Sequence, residues 1–321
     1  ERMRYHSEPY IRHAILIDVL GEDRQAKEAR ILRDEVKDTL VVRTLLAERD
    51  ATGRIPLDPY AKWRGAHWVL ACLAELGYPE ADPGLAALRE QVWEWLLSPE
   101  YERAVAARTA GGLHRWHAGI EGYALYYLLR LGPPDARLDV LVGRLLAWQW
   151  PDGGWNCDQK PGAHTSSFTE TLLPLRGMAL HAQLTGSSTS RAAAERAAEV
   201  LLERYLFRRR RDGQIIRPDF VRLHYPCYWH YDILCGLKAM VEVGRIGDER
   251  CAEALDLLQS KQLPDGGFPA EAKHYRIGRD EDGGGSLVNW GGTGRRKLNE
   301  FVTSTAFQVL RAAGRLRVAR R

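Results

Sequence analysis

Gln149-Trp150-Pro151-Asp152-Gly153-Gly154-Trp155 reads as a tight turn between two helices, and Gln262-Leu263-Pro264-Asp265-Gly266-Gly267-Phe268 repeats it with Phe in the last place. Asp-Gly-Gly suits a turn because glycine takes positive φ without steric cost. Gln149, at the end of one helix, can bond the unsatisfied backbone groups of a neighbouring helix terminus, and Trp155 can pack over that amide. Asp212-Gly213 keeps the turn with altered flanks, and Gly53 and Gly111 keep only the glycine. The five turns lie 58, 42, 60 and 53 residues apart. Self-similarity at such a period means stacked supersecondary units.

Helical periodicity fills the intervals. Ile11, Ile15, Leu16, Val19 and Leu20 share a face closed by Gly21, and Trp68, Val69, Cys72, Leu73 and Leu76 one closed by Gly77. Four further apolar helices end at Gly132, Gly186, Gly244 and Gly314, where glycine supplies a left-handed C-cap. Between them lie more charged, amphipathic helices at about 23–47, 83–97, 136–149, 190–206 and 248–261. No strand pattern stands out. Apolar helices alternating with amphipathic ones make two layers. Without polar capping repeats the stack closes on itself. The expectation is an all-α fold, an α/α toroid (barrel) of about six helix pairs with inner apolar and outer amphipathic helices, as a single domain over residues 1–321. The glycine-rich stretch 280–286 reads as a loop inserted in the last repeat, with Asp280-Glu281-Asp282 solvated.

Apolar residues make up 45% and charged residues 27%, a balance typical of globular chains. No apolar run is long enough to span a bilayer, and residues 1–10 lack the apolar core of a secretion signal, so a cytoplasmic location is expected. Five scattered cysteines argue for reduced thiols over a disulfide framework. The net charge is only +4. The arginine run 208–211 and the basic tail 315–321 read as solvated helix ends, and no nucleic-acid motif accompanies them. Arginine far outnumbers lysine, which points to a GC-rich bacterial genome.

The Q-x-x-D-G-G-W turn resembles the QW motif of squalene and oxidosqualene cyclases, shared more loosely with protein prenyltransferase β subunits. As a repeat pattern the likeness runs nearly the whole chain, which resembles a divergent bacterial member of the terpenoid cyclase and prenyltransferase toroids. The resemblance implies the toroid and an isoprenoid-like, small apolar ligand. It does not carry the chemistry. The D-x-D-D acid of class II cyclases, the D-D-x-x-D of class I synthases and the D-x-C of the zinc prenyltransferases are all missing here.

In such toroids the segments entering the inner helices ring one mouth of the cavity. Here they are aromatic and polar, which makes them the default site. Aromatic faces also stabilise carbocations. The substrate-binding candidates are Trp63, Trp116, His117, His164, His224, Tyr228, Trp229, His230, Trp290 and Arg295, the last able to hold an anionic group. For acid–base work the candidates are Asp232, Asp158, Glu170 and Glu300. Asp232 comes first because Trp229, His230 and Tyr231 would desolvate its carboxyl and raise its pKa; a helix N-cap is the structural alternative. No cofactor is expected. If zinc binds, its ligands come from His224, Cys227 and His230, spaced three apart, with Cys157 or Asp158 from the adjacent repeat.

Three functions remain open. One is cyclisation or prenyl transfer on an isoprenoid or other apolar substrate. The second is a non-catalytic toroid that binds a ligand or partner. The third is a zinc-dependent or carbohydrate-active enzyme on the same architecture.

Overall fold

Each repeat begins where a turn hands the chain to a capped helix. In the computed structural model, which describes residues 3–110, 112–279 and 283–316, the chain is an all-α toroid. The acidic run 280–282, Gly111 and the end of the basic tail lie outside the described residues.

The helices are, in order, α1 (Pro9–Ala14), α2 (Lys27–Glu35), α3 (Leu40–Leu45), α4 (Ala66–Glu75), α5 (Ala86–Leu96), α6 (Pro99–Ala106), α7 (Ala118–Leu131), α8 (Leu138–Trp148), α9 (Phe168–Thr185), α10 (Ser188–Leu202), α11 (Ile233–Glu242), α12 (Ala252–Ser260) and α13 (Glu300–Ala312). Helices α1, α4, α7, α9, α11 and α13 form the inner ring. Helix α1 runs on through a π-helical turn, Ile15–Val19. The ring passes from α4 through α7, α9 and α11 to α13, which packs against α1 and the π turn. Arg311 Nε donates to the carbonyl of Val19 at 3.2 Å, joining the last inner helix to the first. Two two-residue strand pairs, Thr109–Ala110 with Leu113–His114 and Arg276–Ile277 with Gly285–Ser286, sit in connecting loops.

The layering follows from burial. Helix α7 is buried on almost every face from Ala118 to Leu128, whereas α10 buries Ala193, Ala194, Ala197, Ala198, Val200 and Leu201 and exposes much of its other side. Helices α7 and α9 touch backbone to backbone. A Cβ on Gly122 would stand 2.2 Å from Pro174 N, and one on Gly177 would stand 2.5 Å from Gly122 O.

The repeated turn is a tie between layers. Gln149 Nε2 donates to Gly153 O at 2.7 Å and, across to α10, to Ala193 O at 2.9 Å. Trp155 is fully buried and its indole donates to Leu145 O at 3.0 Å. Its backbone N–H donates to Thr171 Oγ1 at 3.1 Å, and Phe268 N–H makes the same bond to Thr303 Oγ1 at 2.9 Å. Each turn is thus sewn to the first turns of the inner helix it feeds. Ser167 and Asn299 cap those two helices, and Asp232 caps α11.

Of the six glycines expected to cap inner helices in the left-handed region, five do so. Gly132 differs, with φ at −100° and ψ at 161°. It precedes Pro133, and the proline ring pushes the residue before it into extended backbone.

Candidate functional site

Inside the ring, four charged side chains interrupt otherwise apolar helices at one level. Arg176, its side chain only 4% exposed, follows Pro174 on α9. Its Nη1 donates to Glu75 Oε1 at 2.6 Å, while Nε and Nη2 grip both oxygens of Glu242 at 2.6 and 2.8 Å. Lys238 bonds the other oxygen of Glu75. Burial raises the Glu75 carboxyl, but Arg176 and Lys238 outweigh it and hold the group well below the usual carboxylate range. Charged groups so placed must be paired, and the pairing is close to complete.

This network faces a cavity of about 510 Å³ at the C-terminal ends of the inner helices. Tyr10, Phe301 and Tyr225 form one aromatic wall, the successive rings stacked at 5.3 and 4.5 Å. Two groups are placed for chemistry. Asp18 lies in the π turn, an irregularity that often marks functional sites; burial raises its pKa, against Arg24 at 3.5 Å, Lys238 and Arg130. Arg130 lies over the ring of Tyr126 at 5.6 Å, its Nε is buried without a hydrogen-bond partner, and no carboxylate pairs with it among the described residues. His13, also on the wall, is pushed down to about 4, by burial first and then by Arg24 and Arg33.

None of the catalytic, substrate-binding or metal candidates named from the sequence lines this cavity. They gather at the opposite end of the ring, in three environments. Trp63, Tyr228 and Trp290 are buried, with Trp63 stacked on Tyr228 at 3.9 Å and edge-on to Trp68 at 4.7 Å. These rings fill the axis there rather than bounding a space.

The second environment joins α7 to α9. Glu170 accepts from Gly119 N at 2.9 Å and lies 3.0 Å from His117 Nδ1, with Cys157 alongside. The hydrogen bond to Glu170 raises the His117 pKa. Burial, with Glu170 adding to it, pushes the Cys157 thiol up to about 12. Trp116 is half-buried and donates to Tyr101 Oη at 3.0 Å. Asp158 holds its own loop by accepting from Lys160 N, and His164 and Arg295 are exposed. Glu300 opens α13.

The third centres on Asp232, which is fully buried. Its Oδ1 accepts from Cys235 N at 2.8 Å as the cap of α11, and its Oδ2 accepts from His224 N at 2.9 Å. His224 Nδ1 stands 2.8 Å from the same Oδ2 in an ion-pair contact outside hydrogen-bond geometry. The sequence suggests a carboxyl raised by burial. Burial does push it up, but the His224 charge and these bonds outweigh it and hold Asp232 below its ordinary value. His224 rises in turn to about 10, the Asp232 charge overcoming burial. Cys227 and Cys235 sit with His224, while His230 stacks between Trp229 and His274, 3.9 Å from each. Of the zinc candidates named from sequence, His224 and Cys227 meet; Cys157 belongs to the second environment. Cys235 takes its place and was not foreseen.

Two groups could therefore hold a metal: His224, Cys227 and Cys235, and His117, Cys157 and Glu170. The axial groups were missed too, although Glu75, Arg176, Lys238 and Glu242 each stand out as a charge in an apolar helix.

No family model matches the chain, and no curated protein matches it. Among solved structures it is similar to a polysaccharide lyase (12% identity, 76% of this chain and 71% of that one, TM-score 0.43). It is also similar to an unsaturated glucuronyl hydrolase specific for heparin (12%, 96% and 85%, 0.39). A type II terpene cyclase from Scytonema, solved with geranylgeranyl dihydroxybenzoate, matches at 17% identity over 86% of this chain and 96% of that one, with a TM-score of 0.26. No helix among the described residues is long and apolar enough to cross a membrane.

Proposed function

We propose that this toroid is an acid–base enzyme acting on an anionic, hydroxyl-rich substrate of the carbohydrate class bound in the axial cavity. The observation that carries this reading is the charged lining, above all the acid-free Arg130 beside the raised carboxyl of Asp18. A sugar offers hydroxyls to the Arg176–Glu242–Lys238 network and an aliphatic ring face to the Tyr10–Phe301–Tyr225 wall. A hydrocarbon chain would strip water from these paired charges and from Arg130 while offering them no hydrogen bond, at a cost of about 2 kcal/mol or more for a polar group so left. The cavity volume falls within the range typical of small-molecule sites. In this reading Arg130 receives a carboxylate of the substrate. Asp18 delivers its proton to a leaving oxygen, since a carboxyl raised by its surroundings suits that task. Glu242, held by Arg176, accepts a proton from a water molecule whose oxygen bonds to the sugar carbon as the glycosidic C–O bond breaks. The stacked aromatic wall favours one second reading, an isoprenoid diphosphate whose diphosphate sits on Arg130.

The test is a thermal-shift and calorimetric comparison of a uronic-acid disaccharide, its neutral counterpart and geranylgeranyl diphosphate. Stabilisation by the uronate alone, with turnover lost in Asp18→Asn while binding persists, is the expected result. Binding of the prenyl diphosphate alone would move the assignment to the second reading, and binding of none of the three would remove both.

A further inference from the structure

A cluster of metal-ligating side chains lies at the other end of the ring from the axial cavity, independent of the function proposed for that cavity. We propose that His224, Cys227 and Cys235 bind one zinc ion, with a water molecule completing the tetrahedron. The three side chains belong to one segment, His-x-x-Cys followed eight residues later by the second cysteine. The loop supplies the first two, and the first turn of α11 supplies the third. Their donor atoms already lie within 4.8 Å of one another. A tetrahedral zinc ion would hold two thiolates about 3.8 Å apart, so the ligands need only small side-chain rotations to close on it.

Three observations point to a ligand here rather than to three packed side chains. The His224 side chain is 1% exposed, yet neither ring nitrogen makes a directed hydrogen bond. Buried imidazole nitrogens are ordinarily satisfied, and a metal on Nε2 satisfies this one. Asp232 stands behind the ring at Nδ1, where a carboxylate commonly orients a metal-bound histidine. Asp232 is itself immobilised by the backbone N–H groups of Cys235 and His224, so the carboxylate, the imidazole and one thiol are fixed to a single helix start. Two sulfurs and one imidazole select zinc over magnesium or calcium, which take oxygen. With three protein ligands, and with Cys227 and Cys235 half-buried, the fourth corner is left to solvent.

The test is metal analysis of the full chain purified from zinc-supplemented culture under reducing conditions. About one zinc per chain is expected, falling at least tenfold in Cys227→Ser and in Cys235→Ser and unchanged in Cys157→Ser. Where a serine variant loses its helical circular dichroism, the native apo-protein is titrated with cobalt, and a thiolate-to-cobalt charge-transfer band saturating at one equivalent is expected. Native protein with neither zinc nor that band would overturn the proposal. So would zinc lost in Cys157→Ser and kept in the other two, or a Cys227–Cys235 disulfide found by mass spectrometry in the reduced preparation.

Discussion

Arg176 donates to Glu75 at 2.6 Å across the hole of the ring, joining α9 to α4 although α7 stands between them. The same guanidinium grips Glu242 on α11, so one cation holds three inner helices at one level. Arg176→Met leaves Glu242 without its partner and Glu75 with Lys238 alone. A loss of about 3–5 kcal/mol of stability is expected in denaturant unfolding, because breaking a buried pair strands its charges. Adding Glu242→Gln to Arg176→Met removes the one stranded carboxylate and leaves Glu75 paired with Lys238, so it should recover much of that loss, and no recovery would show that the network is not what the arginine supports.

Glu121 gives the fold a slope between weakly acidic and neutral pH. It is fully buried, Arg144 Nη1 reaches one oxygen at 3.0 Å, and the other oxygen has no partner. Burial raises its pKa to about 7 in spite of Arg144. A carboxyl raised in the folded state contributes stability fully present below its unfolded value and lost as pH climbs to the folded one. Glu121→Gln should therefore gain on the native chain between about pH 4.5 and 7, reaching about 3 kcal/mol by the conversion of pKa shift to free energy, and then run parallel to it. Parallel curves throughout that window would contradict the assignment.

His67 acts in the opposite sense. Its ring is fully buried with Nδ1 3.0 Å from Tyr127 Oη, and burial pushes it down to about 3. A depressed histidine contributes stability present above its ordinary value of 6.5 and lost as pH falls toward the folded value. Each pH unit below 6.5 should cost the native chain about 1.4 kcal/mol that His67→Gln does not lose. Urea midpoints compared at pH 6.5 and 4.5 measure the difference.

The turn at 149–155 is the next test. Gly153 has φ at +101°, and a Cβ there would stand 2.6 Å from the carbonyl of Arg196. Gly153→Ala should cost about 1–3 kcal/mol from backbone strain alone, and Trp155→Ala about 3–5 from the cavity it opens. Removing the Gln149 amide should cost less, about 1–2, since water can replace part of its bonding. A Gln149→Ala variant less stable than Trp155→Ala would reverse that order, which thermal unfolding will show.

Arg130 separates binding from folding. Its guanidinium has no carboxylate in ion-pair contact among the described residues, and only the Tyr126 ring and the more distant Glu242 and Glu75 favour its charge, so Arg130→Met should lower the melting temperature only slightly. The same change should weaken uronate binding at least tenfold, by loss of a charged hydrogen bond of about 1.5–3 kcal/mol. A variant that melts early and still binds would exclude Arg130 from the site.

Much of the architecture was legible because it is written in short range. Apolar faces closed by glycine located α4, α7, α9, α11 and α13, and the Asp-Gly-Gly turns located the joints. The π turn after α1 was not legible, since Ile11, Ile15 and Val19 satisfy an ordinary helical period. Glu75, Arg176, Lys238 and Glu242 come from three repeats, and only the closed ring places them at one height. The aromatic residues at the helix entrances were found as a group, but ring packing decides whether each fills space or bounds it: Trp63 and Tyr228 fill it, while Trp229 is half-buried. Cys235 lies eleven residues beyond His224, and only the first turn of α11 carries it back to the loop.

The stacked rings of Trp63 and Tyr228 have a further consequence. A ring sealed at one end is a cup, and a polymer cannot be threaded through it. An extended chain can enter only by its tip, so the cup admits terminal units and leaves interior linkages out of reach. Under the function proposed for the axial cavity, such a cup would shorten a chain from one end, releasing small products through the same rim by which the substrate came in.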